Sequence, residues 1–113
     1  MEPLELALRY MEIFYSGENL EELHDIFGEN FSFEGPFATF DSASDYIGSL
    51  CADPPRHCSY KLLHSFADDS SACLLYQFSK PGIAAPVPMA QLFEVSGGKI
   101  EKIQLIFDRT PFC

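Results

Sequence analysis

Basic residues are scarce in this chain: seven lysines and arginines stand against 17 aspartates and glutamates, for a formal net charge of −10. Such a surface repels phosphate backbones and anionic membranes, which argues against nucleic acid or a membrane as partner. The acids are scattered over the predicted helices rather than gathered in a tail, a pattern that serves solubility. Long apolar runs are also missing, since none approaches the roughly 18 residues that span a bilayer, and no basic start followed by an apolar run opens the chain. A cytoplasmic protein is therefore expected. Closely paired cysteines are absent too. Cys51, Cys58, Cys73 and Cys113 stand apart, so they are expected to be small core hydrophobes in a reducing compartment. A zinc set of Cys51, His57 and Cys58 can be drawn, but without a CxxC pair it is disfavoured, and neither metal nor cofactor is expected.

What is present is a globular balance, 47% apolar and 21% charged over 113 residues. That length suits one domain over residues 1–113, able to bury its own core. Leu4, Ala7, Leu8, Met11, Phe14 and Tyr15 recur at steps of three and four, which predicts a helix with Pro3 in its first turn. In "NLEE" Asn19 is placed to cap a second short helix, with Glu22 reaching back and Leu20, Leu23 and Ile26 facing inward. Gly28 is expected to close it. "FSFEG" reads as a short strand with Phe31 and Phe33 on one side, ended by Pro36. Ser42 and Asp45 form another capping pattern, ahead of a helix with Ala43, Tyr46, Ile47, Leu50 and Cys51 on one face.

Four apolar runs follow, over residues 58–66, 72–78, 89–95 and 100–107, and read as strands. "ADDSS" and "SGGK" link them into two hairpins, and "SKPGIAAPVP" is a longer connection. Helices first and a strand meander last predict an α+β domain, with helices on one face of a curved, mainly antiparallel sheet. The strands are apolar on both faces. Gln104, Ile106 and Asp108 lie opposite Ile103, Leu105 and Phe107, and Met89, Gln91 and Phe93 lie opposite Ala90 and Leu92. A face left uncovered by helices needs another cover, and a homodimer joined sheet to sheet is expected.

This order of elements, with "YSGENLEELHDIFGENFSFEGPF" early and "MAQLFEVSGGKIEKIQLIFD" late, resembles the nuclear transport factor 2-like superfamily, especially its SnoaL-like members. The resemblance covers nearly the whole chain and implies a cone-shaped, cystatin-like α+β roll enclosing a mostly apolar pocket. It implies a pocket lined by Tyr10, Phe14, Phe33, Gly35, Phe37, Tyr46, Ala90, Leu92, Ile103, Leu105 and Phe107. In ketosteroid isomerases of this group the base is an Asp between Glu and Pro, and in "EGP" that place is Gly35. A tyrosine of their oxyanion hole matches Tyr10, but the strand aspartate, counted from the Gly-Lys-Ile turn, falls on Ala90. The acid of SnoaL-type polyketide cyclases and of limonene epoxide hydrolases falls on Leu105, and the arginine that the hydrolases need within the sheet is lacking before Arg109. The carboxylates of all three chemistries are thus missing.

Among the remaining polar residues, Tyr10 is a candidate donor to a ligand oxygen. His64 alternates with Tyr60, Leu62 and Phe66, which would set an imidazole on an aromatic face as a candidate base. His24 and His57 read as surface residues. Glu34 alternates away from Phe31 and Phe33, and Asp108 is expected to cap a turn or pair with Arg109 or Arg56. The leading reading is a pocket for a small apolar molecule. A divergent enzyme using Tyr10 and His64 on an enolisable ketone, and a non-catalytic module whose cone is filled by its own side chains, stay open beside it.

Overall fold

Chain order and periodicity are carried into three dimensions by a computed structural model, which describes residues 1–112; Cys113 lies outside the described residues. Helix α1 runs Pro3–Ser16, and helix α2 runs Ala43–Ala52. The strands are β1 (Phe27–Glu34), β2 (Thr39–Phe40), β3 (Ser59–Ala67), β4 (Ser71–Ser79), β5 (Val87–Ser96) and β6 (Lys99–Phe107). They form one sheet in the order β2-β1-β6-β5-β4-β3, antiparallel except where β1 runs parallel to β6. The chain is therefore an α+β fold with a curved, mainly antiparallel sheet and helices against its inner face. No helix is long and apolar enough to cross a membrane among the described residues.

Local chemistry accounts for most element ends. Glu2 opens α1 through a reciprocal box with Glu5, Pro3 takes the first turn, and Gly17 closes the helix at φ 67°. The buried stripe of α1 is Leu6, Ala7, Tyr10, Met11 and Ile13, one step round from the predicted one, so Leu8 faces outward and Tyr10 inward. Ser42 caps α2 by accepting from the Asp45 amide at 3.1 Å. At the β5–β6 turn Gly97 and Gly98 both hold positive φ, 60° and 75°, as a tight hairpin turn requires.

Two expectations near the start fail. Leu20–Asp25 is a 3-10 helix, and Asn19 sits in the left-handed region at φ 54° without a side-chain cap. The Glu22 amide instead donates to the Asn19 carbonyl at 2.9 Å, so the backbone closes this turn itself. Gly28 does not end a helix but lies within β1, where the Glu101 carboxylate occupies the space of a missing side chain.

Two bulges decide which side chains face the helices. On β6 the register slips by one between Glu94 and Val95, leaving Glu101 as the extra residue. Without it Ala90 would pair with Leu105; with it Gln91 does. Met89, Gln91 and Phe93 therefore share the inner face with Ile103, Leu105 and Phe107, while Ala90 and Leu92 turn outward. On β3 the slip falls at Leu63, so His64 pairs with Leu75 and Phe66 with Cys73. Tyr60 and Leu62 stay on one side and His64 and Phe66 go to the other. The outer face then carries two cross-strand rows, Phe66–Cys73–Leu92–Gln104 and His64–Leu75–Ala90–Ile106.

Candidate functional site

Between the inner face of the sheet, α1, α2 and the turn Thr110–Phe112 lies a cavity of about 320 Å3. Helix α1 brings Tyr10, Phe14 and Tyr15 to it, and α2 brings Tyr46, Ser49 and Leu50. The sheet supplies Phe33, Tyr76, Phe78, Met89, Gln91, Leu105 and Phe107, and Phe37, Ala38, Phe40, Lys80 and Phe112 complete the wall. The surface is chiefly aromatic. Phe33 stacks on Tyr46 with centroids 4.6 Å apart, and Tyr10 meets Phe93 edge-on at 5.4 Å.

Two side-chain hydrogen bonds join polar residues of this wall. The Tyr76 hydroxyl donates to Gln91 Oε1 at 2.7 Å, which turns the Gln91 amide nitrogen the other way. Gln91 lies close to Tyr10 and works against the rise of its phenol pKa. The Tyr10 and Tyr46 hydroxyls lie 2.5 Å apart, and either atom can donate. If Tyr46 donates, the Tyr10 oxygen accepts and its own proton is left for the cavity.

Burial, the largest cause, pushes the Tyr10 phenol up to about 12, with Tyr46 and Gln91 pulling the other way. Burial likewise holds Tyr46, Tyr76 and Tyr15 above the ordinary phenol value. Near neutral pH all four are therefore protonated. The site has hydroxyl donors and an apolar enclosure, and among the described residues no Asp, Glu or His lines it.

Of the residues expected at the pocket, Tyr10, Phe14, Phe33, Phe37, Tyr46, Leu105 and Phe107 line the cavity. Ile103 is fully buried in the core instead. Ala90 and Leu92 are on the outer face because of the Glu101 bulge, and the inward residue beside them is Gln91. Gly35 lines a shallower depression with Glu34, Pro36 and Gln104. A side chain there would aim at Phe33, since its Cβ would sit 2.9 Å from Phe33 Cε1. His64 is exposed on the outer face and stacks on Phe66 at 6.2 Å, away from the cavity.

Asp108 caps the last turn by accepting from the Thr110 amide at 2.9 Å, which lowers its carboxyl pKa. Glu34 is exposed. The three described cysteines are not core residues: Cys51 is exposed, and Cys58 and Cys73 are half-buried at the sheet's start and outer face. Among the described residues no three His, Cys, Asp or Glu side chains cluster as metal ligands would. The expected set lacked, among others, Tyr15, Tyr76, Phe78, Lys80, Met89 and Gln91. A signal existed for Gln91, an amide set within the apolar run Val87–Phe93.

No protein-family model matches the sequence, and no curated protein matches it. Solved structures do match its fold. An NTF2-like protein of unknown function from Cytophaga hutchinsonii is 20% identical with a TM-score of 0.83, the match covering 99% of this chain and 95% of that one. A protein of unknown function with a cystatin-like fold from Xanthomonas campestris is 17% identical with a TM-score of 0.80, again over 99% and 95%. A SnoaL-like family protein from Agrobacterium tumefaciens is 13% identical with a TM-score of 0.73, over 94% and 97%. The fold of this chain is thus the NTF2-like, SnoaL-like cone.

Proposed function

We propose that the chain binds a small, mostly apolar molecule in the inner cavity and that Tyr10 donates its proton to one oxygen of that molecule. The observation that carries this reading is a pair of buried side-chain hydrogen bonds, Tyr10–Tyr46 and Tyr76–Gln91, set in the wall of an aromatic enclosure, where Tyr10 can offer its proton inward when Tyr46 donates to it. Its size is at the lower end of small-molecule sites, about 300–1,000 Å3, and a few convergent polar groups in an apolar wall are what orient a ligand there. Proton transfer of the isomerase kind is less well supported, because His64 points away and no Asp or Glu among the described residues lines the cavity.

The test compares 2-acetonaphthone with 2-ethylnaphthalene, which has the same outline without the carbonyl. Binding to the folded state raises the melting temperature. The ketone is expected to give the larger shift, and Tyr10→Phe to bring the two to the same value. No shift with either compound would reject the pocket; equal shifts with the parent protein would reject the role of Tyr10.

A further inference from the structure

Lys80 is the one charged residue lining the cavity among those described. It follows the end of β4, is exposed, and lays its ammonium 5.4 Å from the centroid of the Phe112 ring at the outer edge of the enclosure. Among the described residues no carboxylate lies within ion-pair distance of it. On a chain with 17 acids and seven bases, an aromatic cavity whose only charged wall residue is a base departs from the surface around it. Tyr10, in contrast, is buried, so the hydroxyl donor and the ammonium stand at different depths.

From this we infer that the molecule taken up is an amphipathic monoanion: an apolar body with a neutral oxygen on Tyr10 and a carboxylate, or an anion of similar size, meeting Lys80 at the mouth. The inference rests on the binding role proposed for the cavity. Lys80 gives an anion a local partner that offsets the repulsion of the chain's overall charge, and the Phe112 ring holds the ammonium near the opening. Desolvation stays small, since the charged end remains at the wet edge while the rings are enclosed.

The experiment measures dissociation constants of 2-acetonaphthone and 6-acetyl-2-naphthoate by fluorescence titration, with the parent protein and with Lys80→Gln. The acid is expected to bind about three- to fivefold more tightly than the neutral ketone, the scale of a partly exposed ion pair. In Lys80→Gln that preference should vanish or invert, because only the overall repulsion is left. Folding is not at issue for an exposed side chain. Equal or weaker binding of the acid by the parent protein, or a preference that survives Lys80→Gln, would overturn the inference while leaving the pocket in place. If neither compound binds, the cavity reading fails first and this one with it.

Discussion

Tyr10 joins the fold and the candidate site in one hydroxyl. Tyr10→Phe removes the hydrogen-bond partner of the buried Tyr46 hydroxyl. Leaving buried donors unpaired costs about 1–3 kcal/mol, to be read as a lower denaturation midpoint in urea. The same group makes stability depend on pH. Its phenol titrates at about 12 in the fold against an ordinary 10.0, so between those values the unfolded chain holds fewer protons. Its contribution is complete below about pH 10 and is lost as pH rises toward 12. Melting curves should therefore be flat to about pH 9 and fall above it, less steeply in Tyr10→Phe. Gly35 poses the opposite case. Its place between Glu34 and Pro36 reads as a lost base, but the space a side chain would enter is taken by the Phe33 ring at 2.9 Å. Gly35→Asp is expected to lose about 1–3 kcal/mol by overpacking and to give no turnover of an unsaturated ketone. Turnover would show that Phe33 yields and that the site is an isomerase lacking one atom group.

Elements were legible where the signal is local, and their faces were not. The four long strands lie within two residues of the apolar runs that announce them, and the Ser42 cap and Gly97–Gly98 turn are sequence-near chemistry. β2 has only two residues and exists through its pairing with β1, so no periodicity marks it. The bulges at Leu63 and Glu101 depend on hydrogen bonds between strands, and each reverses alternation beyond it. That is why Ala90 and Leu92 were expected inside and lie outside, why His64 parts from Tyr60 and Leu62, and why Gln91 was overlooked. The same local-to-distant link makes α2 a place to test. Tyr46 sits in its second turn, four residues beyond the Ser42 cap, and reaches Tyr10 from there. Ser42→Ala should cost about 1 kcal/mol and loosen that contact, lowering the melting temperature by a few degrees and weakening binding of 2-acetonaphthone. Unchanged binding at reduced stability would show that core packing, not the cap, positions Tyr46.

At the scale of the whole molecule, the helices cover one face of the sheet and leave the other open. Across β3 to β6 its two rows contain no carboxylate, lysine or arginine, Glu34 of β1 bordering one of them beside Gln104, and Phe66 and Ile106 on them are 59% and 57% exposed. We propose that a second copy of the chain covers this face. A two-fold contact sets each row against its own kind, and an uncharged patch lets two chains of net charge −10 meet where repulsion is least. Sedimentation equilibrium should then give twice the chain mass at micromolar concentration. Added salt should tighten the dimer, since it screens the repulsion between acidic chains and leaves the apolar contact in place. Ile106→Glu changes an exposed side chain and puts two like charges into the contact. It should yield a folded monomer with an unaltered far-ultraviolet spectrum. A parent protein that sediments as a monomer at every salt concentration would rule out this cover, and the open face would then be a bare surface of the fold. A dimer that persists in Ile106→Glu would mean that the copies meet elsewhere, with the inner cavity and its test through Tyr10 unaffected.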